Sequence, residues 1–256
     1  MVDALEPVMF QCELWTDNND IYMNPRIDKI RESEKLSHTK IYSDEDLYNT
    51  DSWLKKPIKT VRDIVPILSG RDGVRVLDLG CGIGRNSIYI AQSFKDKGSL
   101  VDCVDILDIA IDKLRSNAFI HGVSDNIKGI VGTIEGFTIP EDTYDLILAV
   151  SALEHVESEE AFVNNLQDIK AGVKNQGIVC LVINSEVKEC NKDTGEDLDP
   201  QFEVNLSSKT VQSYIDEVFS GWKVLKSTVS SQEYDIPRES VISHLTTNVI
   251  TFVGQR

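Results

Sequence analysis

The chain has 256 residues, 41% of them hydrophobic, enough for one large domain or one domain with a small appendage, and too apolar for global disorder. Its 26 Lys and Arg face 42 Asp and Glu, a formal charge of -16 at pH 7. A field of that sign repels phosphate backbones and anionic lipid surfaces, so neither a nucleic-acid nor a membrane partner is expected.

Residues 1–52 are polar, acidic and weakly periodic, with a short helix expected in "NPRIDKIRESEKL" and a loop in "YSDEDLYNTDSW". From Trp53 the texture changes. "KPIKTVRDIVPILSG" sets Ile58, Val61, Ile64 and Leu68 at helical spacing, and Pro66 weakens the last turn. "VRVLDL" reads as a buried strand and "GRNSIYIAQSFKD" as a helix. "SLVDCVDI" is a second strand. "DIAIDKLRSNAFIHG" is a helix with Leu107, Ile111, Leu114 and Ala118 on one face, Asp108 as its cap and Gly122 at its exit. "IKGIV" and "YDLILAV" are strands. "SEEAFVNNLQDIKAGV" is a helix with Ser158 as N-cap and Glu159 and Glu160 near the positive end of its dipole. "GIVCLVIN" is a fifth strand, "SSKTVQSYIDEVFSG" a helix, and "WKVLKSTVS" and "TTNVITFVG" two closing strands. Strands alternating with helices predict a mainly parallel sheet covered on both faces. The last two strands have no helix between them and pair as an antiparallel hairpin near one edge.

The five cysteines, Cys12, Cys81, Cys103, Cys180 and Cys190, are odd in number and show no C-x-x-C spacing. Neither a zinc site nor a disulfide framework is expected, and no metal-ligand set is identified. The amino terminus has no basic region ahead of an apolar core, and no segment approaches eighteen uninterrupted apolar residues. The expected setting is soluble, reducing and cytoplasmic.

The densest chemistry lies in "VRVLDLGCGIGRNS", Val74 to Ser87. Gly80, Gly82 and Gly84 follow the first strand at its carboxyl end, where open parallel sheets bind ligands, and the next helix points its first amides at the loop. The backbone is the expected binding surface. The spacing is G-x-G-x-G, not the G-x-G-x-x-G of a dinucleotide site, and the preceding Asp78 suits a cationic or zwitterionic ligand better than a diphosphate.

The stretch "VLDLGCGIGRNS" resembles the first motif of the class I S-adenosylmethionine-dependent methyltransferases, strongly over Val74 to Ile183, and "GRNS" is similar to the tellurite-resistance methyltransferases among them. The resemblance implies a Rossmann-like α/β fold with a mostly parallel seven-stranded sheet ordered 3-2-1-4-5-7-6, strand 7 antiparallel, and S-adenosylmethionine as cofactor. It implies cofactor contacts from Asp78, Gly80, Cys81, Gly82, Gly84, Arg85 and Asn86 in the first loop. Asp105 and Ile106 follow at the end of the second strand, where a carboxylate can accept hydrogen bonds from both ribose hydroxyls. Asp102 is the mid-strand alternative to Asp105, and capping of the next helix is the alternative role for Asp105. After the third strand the family carries an acidic residue against adenine. Here Thr133 stands in that place, which leaves Thr133, the Ile134 amide and Glu135 as contacts. After the fourth strand, Ser151 falls near the methionine end, and Glu154 and His155 could face the acceptor. His155 is the general-base candidate, with structural packing as its alternative role.

The reaction implied is in-line methyl transfer, probing no metal or triad. The expected acceptor is a small molecule, with a protein acceptor or a non-catalytic cofactor-binding partner as alternatives. Residues 1–52 form an extension, read as a lid, and residues 53–256 the methyltransferase domain, with an insert at about 185–205.

Overall fold

A computed structural model describes residues 24–44, 46–50, 52, 54–238 and 241–256. The first strand, β1 (Arg75–Leu79), is buried at every position after Arg75 because both of its faces are covered. It pairs in parallel with β2 (Leu100–Asp105) on one side and β4 (Tyr144–Val150) on the other. β2 carries β3 (Ile127–Val131), and β4 carries β5 (Val173–Asn191), again in parallel. Then β8 (Ile242–Gln255) joins β5 antiparallel, and β7 (Lys223–Pro237) closes the edge against β8. The order β3-β2-β1-β4-β5-β8-β7 is the one expected, with a two-residue strand β6 (Asp197–Leu198) added beside β5.

Helices cover both faces. One apolar cluster joins β1 to α2 (Lys59–Ile64), α3 (Ser87–Ser93) and α4 (Asp108–Ile120). The other lies under α5 (Glu159–Gly172) and α6 (Ser208–Val218). Pro66 acts as anticipated: α2 stops at Ile64, and Val65–Leu68 continue as a tighter 3-10 turn. Ser158 caps α5, its hydroxyl accepting from the Ala161 N–H at 3.0 Å. Asp108 does not cap α4 but is its first residue. The preceding turn is made by Asp105, whose Oδ1 accepts from the Leu107 N–H at 3.0 Å. No helix among the described residues is long and apolar enough to cross a membrane.

Four elements run longer than their sequence patterns suggest. The helix near the amino terminus, α1, spans Pro25–Asp44 and so takes in the "YSD" read as the start of a loop. β5 continues through Asn191 into the expected insert, with a bulge between Ser185 and Lys188 where Glu186 has φ +51°. There the inward positions are Ser185, Val187 and Glu189, so the period-two signal is hidden by a buried acid. Arg238, on the far side of β7, makes that burial tolerable by binding Glu189 through two contacts, at 2.8 and 3.0 Å. β7 and β8 lengthen in step with β5, because each unpaired residue of an extended strand needs a ladder partner.

Candidate active site

The glycine loop leaves β1 at the point where the sheet order reverses, and Gly80, Gly82 and Gly84 all have positive φ, at 70°, 53° and 94°. Their neighbours differ. A Cβ on Gly80 would stand 2.5 Å from the Ala152 Cβ, and one on Gly84 would stand 2.5 Å from Leu114 Cδ1. These two glycines let the loop pack against the turn after β4 and against α4. Gly84 accordingly packs against α4 and does not line the cavity. Gly82 is different: the nearest atom to its missing Cβ is the Tyr42 hydroxyl at 3.1 Å, and it lines the cavity.

Asp78 lies in β1 beneath the loop. It is 1% exposed and does not reach the cavity. Its carboxylate accepts from the Ser87 hydroxyl, tying β1 to the first turn of α3. Burial pushes its pKa up to about 7; the Ser87 bond opposes this and the charge of Asp105 adds to it. The folded state therefore holds the Asp78 proton more tightly than the unfolded chain. The stability this lends is complete below about pH 4 and is lost as pH rises through about 7. Asp78→Asn, which keeps the shape without the charge, should match the parent in melting temperature near pH 4 and exceed it at pH 8. The gain should be roughly 2–4 °C for each kcal/mol recovered. Parallel melting curves for the two proteins across that range would remove Asp78 as the source.

One cavity of about 1010 Å³ unites the carboxyl ends of four strands. Gly80, Cys81, Gly82, Arg85 and Asn86 line it from the β1 loop, Asp105 and Ile106 from β2, Thr133, Ile134 and Glu135 from β3, and Ser151 and His155 from β4. Several of these side chains are already engaged. Asn86 Oδ1 accepts from the Ile58 N–H at 3.2 Å, and Arg85 Nε donates to the Lys56 carbonyl at 2.7 Å. Both fasten the segment ahead of α2. Thr133 Oγ1 accepts from the Gly136 N–H at 3.0 Å, so it shapes its own loop. Ser151 has φ +50° and bonds through its N–H to the Val182 carbonyl.

Asp105 is the central acceptor. Its Oδ2 accepts from the Gly82 N–H at 2.8 Å, so it fixes the glycine loop as well as the start of α4. Burial raises its pKa, while those two backbone hydrogen bonds act to lower it. Two of the roughly four acceptor positions on its oxygens remain for a ligand. Next to it Ile106 exposes an apolar side chain, a surface against which a flat ring can lie. Asp102 is not a rival. It sits mid-strand, bound by Arg75 at 2.8 Å and by the Tyr144 hydroxyl at 3.1 Å.

The roof comes from α1 and from the segment after β6, and its residues were not identifiable singly from the sequence. Arg26 binds Asp199 at 3.1 Å and the carbonyls of Pro200 and Phe202. Arg31 reaches Glu135 at 2.9 Å and Glu203 at 3.5 Å, so Glu135 is turned toward α1. The exposed Arg26–Asp199 pair is worth at most about 1 kcal/mol. Buried Ile27 and Ile30, at roughly 1.5–3 kcal/mol each, hold α1 down more firmly. Under α1, His155 Nδ1 stands 2.9 Å from Glu203 Oε2 and 3.3 Å from Glu34 Oε2, and its ring stacks on Phe202. Burial works to lower the His155 pKa, but the Glu203 hydrogen bond and the charges of Glu34 and Glu154 outweigh it and carry it up to about 9. Two carboxylates thus meet at one nitrogen of the ring. Glu154 lies in the same turn. It is buried outside the cavity, with Oε1 accepting from the Asn184 N–H at 3.1 Å and from Asn184 Nδ2 at 2.5 Å.

Residues 76–177 match the family model described as a methyltransferase domain. Among curated proteins, the chain is 33% identical over 141 residues to the ribosomal protein arginine N-methyltransferase rmt3 of Schizosaccharomyces pombe, covering 48% of this chain and 25% of the relative. It is 31% identical over 97 residues to the mitochondrial ubiquinone biosynthesis O-methyltransferase of the same yeast, covering 38% and 34%. The chain thus spans about a quarter to a third of the length of these relatives. Among solved structures, TehB of Haemophilus influenzae superposes with a TM-score of 0.55 at 20% identity, over 76% of this chain and 62% of that one. The 1,6-didemethyltoxoflavin-N1-methyltransferase of Burkholderia thailandensis, with bound 1,6-didemethyltoxoflavin and S-adenosylhomocysteine, gives 0.53 at 15% identity, over 90% and 86%. Residues 76–177 thus match a methyltransferase domain, and the sheet around them shares the fold of these solved methyltransferases.

Proposed function

We propose that this protein catalyses methyl transfer from S-adenosylmethionine to a small-molecule acceptor enclosed beneath α1 and residues 199–205. The observation that carries the reading is the single cavity running from the Gly82 loop and Asp105 to the underside of α1. Its volume sits at the upper end of the ~300–1,000 Å³ typical of small-molecule sites, room for a cofactor and a second small ligand. The residues present fit the cofactor: Asp105 keeps acceptor capacity for hydroxyls, Ile106 offers an apolar face, and Gly82 leaves the backbone uncovered. When bound, S-adenosylmethionine supplies an electrophilic methyl group. This chain's residues supply position and dryness. Asp105 and the glycine loop fix one partner, and α1 with Phe202 and Glu203 encloses the other and excludes water. The acidic surface and the roof favour a small acceptor over nucleic acid. The free Cys81, Cys103, Cys180 and Cys190 support a reducing, cytoplasmic setting.

The test is turnover with labelled S-adenosylmethionine against panels of small molecules, peptides and RNA. Label in the small-molecule fraction is the expected result, and label only in peptide or RNA would overturn it. Removal of residues 1–44 probes the roof directly. The sheet is complete without them, so affinity for S-adenosylhomocysteine should stay within a few-fold while transfer falls roughly a hundredfold or more, as an open site loses alignment and dryness. Turnover at the parental rate would show that α1 is not a lid.

A further inference from the structure

Glu34, His155 and Glu203 come from three separate elements: α1, the turn after β4, and the segment after β6. Their ligating atoms all lie within 4.8 Å of one another, with the two carboxylate oxygens 2.9 and 3.3 Å from the same nitrogen, Nδ1 of His155. Ligands about 2.1 Å from a common ion stand roughly 3–3.5 Å apart, so this is the spacing of a coordination shell. An imidazole has one hydrogen on Nδ1 to give, and two carboxylates compete for it. Glu203 is almost wholly buried, its side chain 1% exposed, so it lacks water to make up the deficit. A second feature points the same way. His38 lies one helical turn beyond Glu34 on α1 and lines the same cavity. Its Nδ1 is buried with no hydrogen-bond partner.

We infer that Glu34, His155 and Glu203 form a binding site for one divalent transition cation, of the Zn2+ or Mn2+ class. One imidazole and two carboxylates suit a borderline cation, and three protein ligands leave a position open toward the cavity. Around the cluster, Phe202 stacks on the His155 ring at 5.1 Å, and Arg31 Nε approaches the second oxygen of Glu203 at 3.5 Å. A cation here joins α1 to the core and to the insert at one point, so metal would fasten the roof of the cavity.

The experiment uses the full chain after treatment with a chelator, titrated with Co2+ and followed by calorimetry and by its visible d–d absorption. One Co2+ per chain is expected, with the spectrum of an ion in a low-coordinate N/O site, displaced by Zn2+. Glu34→Gln, His155→Gln and Glu203→Gln should each weaken binding at least tenfold. Far-UV circular dichroism and melting temperature establish that each variant is folded. Glu34→Gln, on a surface helix, decides the matter if the buried Glu203→Gln does not fold. Absence of stoichiometric binding would overturn the site, as would binding that Glu34→Gln and His155→Gln leave unchanged, the pattern of diffuse attraction to an acidic surface.

Discussion

Asp105→Ala should weaken binding of S-adenosylhomocysteine by roughly 30- to 1000-fold, from the loss of about 2–4 kcal/mol of charged hydrogen bonds. Two separate losses add. The carboxylate that would receive the ligand's hydroxyls disappears, and so does the acceptor that holds the Gly82 N–H at 2.8 Å and the Leu107 N–H at 3.0 Å. The loop that forms the floor is then free to shift. Asp105→Asn separates the two: its amide oxygen still accepts from one backbone N–H, so part of the affinity should return. Calorimetry on folded variants measures both. A folded Asp105→Ala protein with parental affinity would remove this residue from the site.

Gly84→Ala should cost stability, about 2–5 kcal/mol, with the affinity of the remaining folded protein little changed. A residue with a side chain at φ +94° carries about 1–2 kcal/mol of strain. The new methyl group would meet Leu114 Cδ1 at 2.5 Å and Ile88 Cγ1 at 3.0 Å, both on buried side chains, and overpacking adds about 1–3 kcal/mol. Gly82→Ala should behave in the opposite way. Its methyl group meets only the Tyr42 hydroxyl, at 3.1 Å, so stability falls less while ligand affinity falls more. Urea unfolding midpoints and binding constants for the pair provide the comparison. Equal stability losses in the two variants would show that the glycines do not divide the work between packing and binding.

Burial explains why some of the site could be read from the sequence and some could not. The alternation of strands and helices, the glycine loop at the end of β1 and the acid at the end of β2 are local in the chain, and local periodicity reports them. Asp105 could be placed because strand ends in a parallel sheet converge. By contrast, nothing near Asp78 in the sequence says that Ser87 will take its carboxylate, or that it will lie 1% exposed beneath the loop. Nothing near His155 says that Glu34 and Glu203 will flank one of its nitrogens. The length of β5 was hidden for the same reason, since Glu189 reads as an outward residue until Arg238 arrives beside it from β7. The alternation of strands and helices, the closing hairpin and the glycine loop were legible in the chain because they follow from hydrophobic period and turn chemistry, whereas the sheet order came from the family resemblance. Which glycine packs against a neighbour, which acid is buried and which carboxylates meet at His155 emerged only in the folded structure, because steric contact and desolvation depend on neighbours that the chain brings together from a distance.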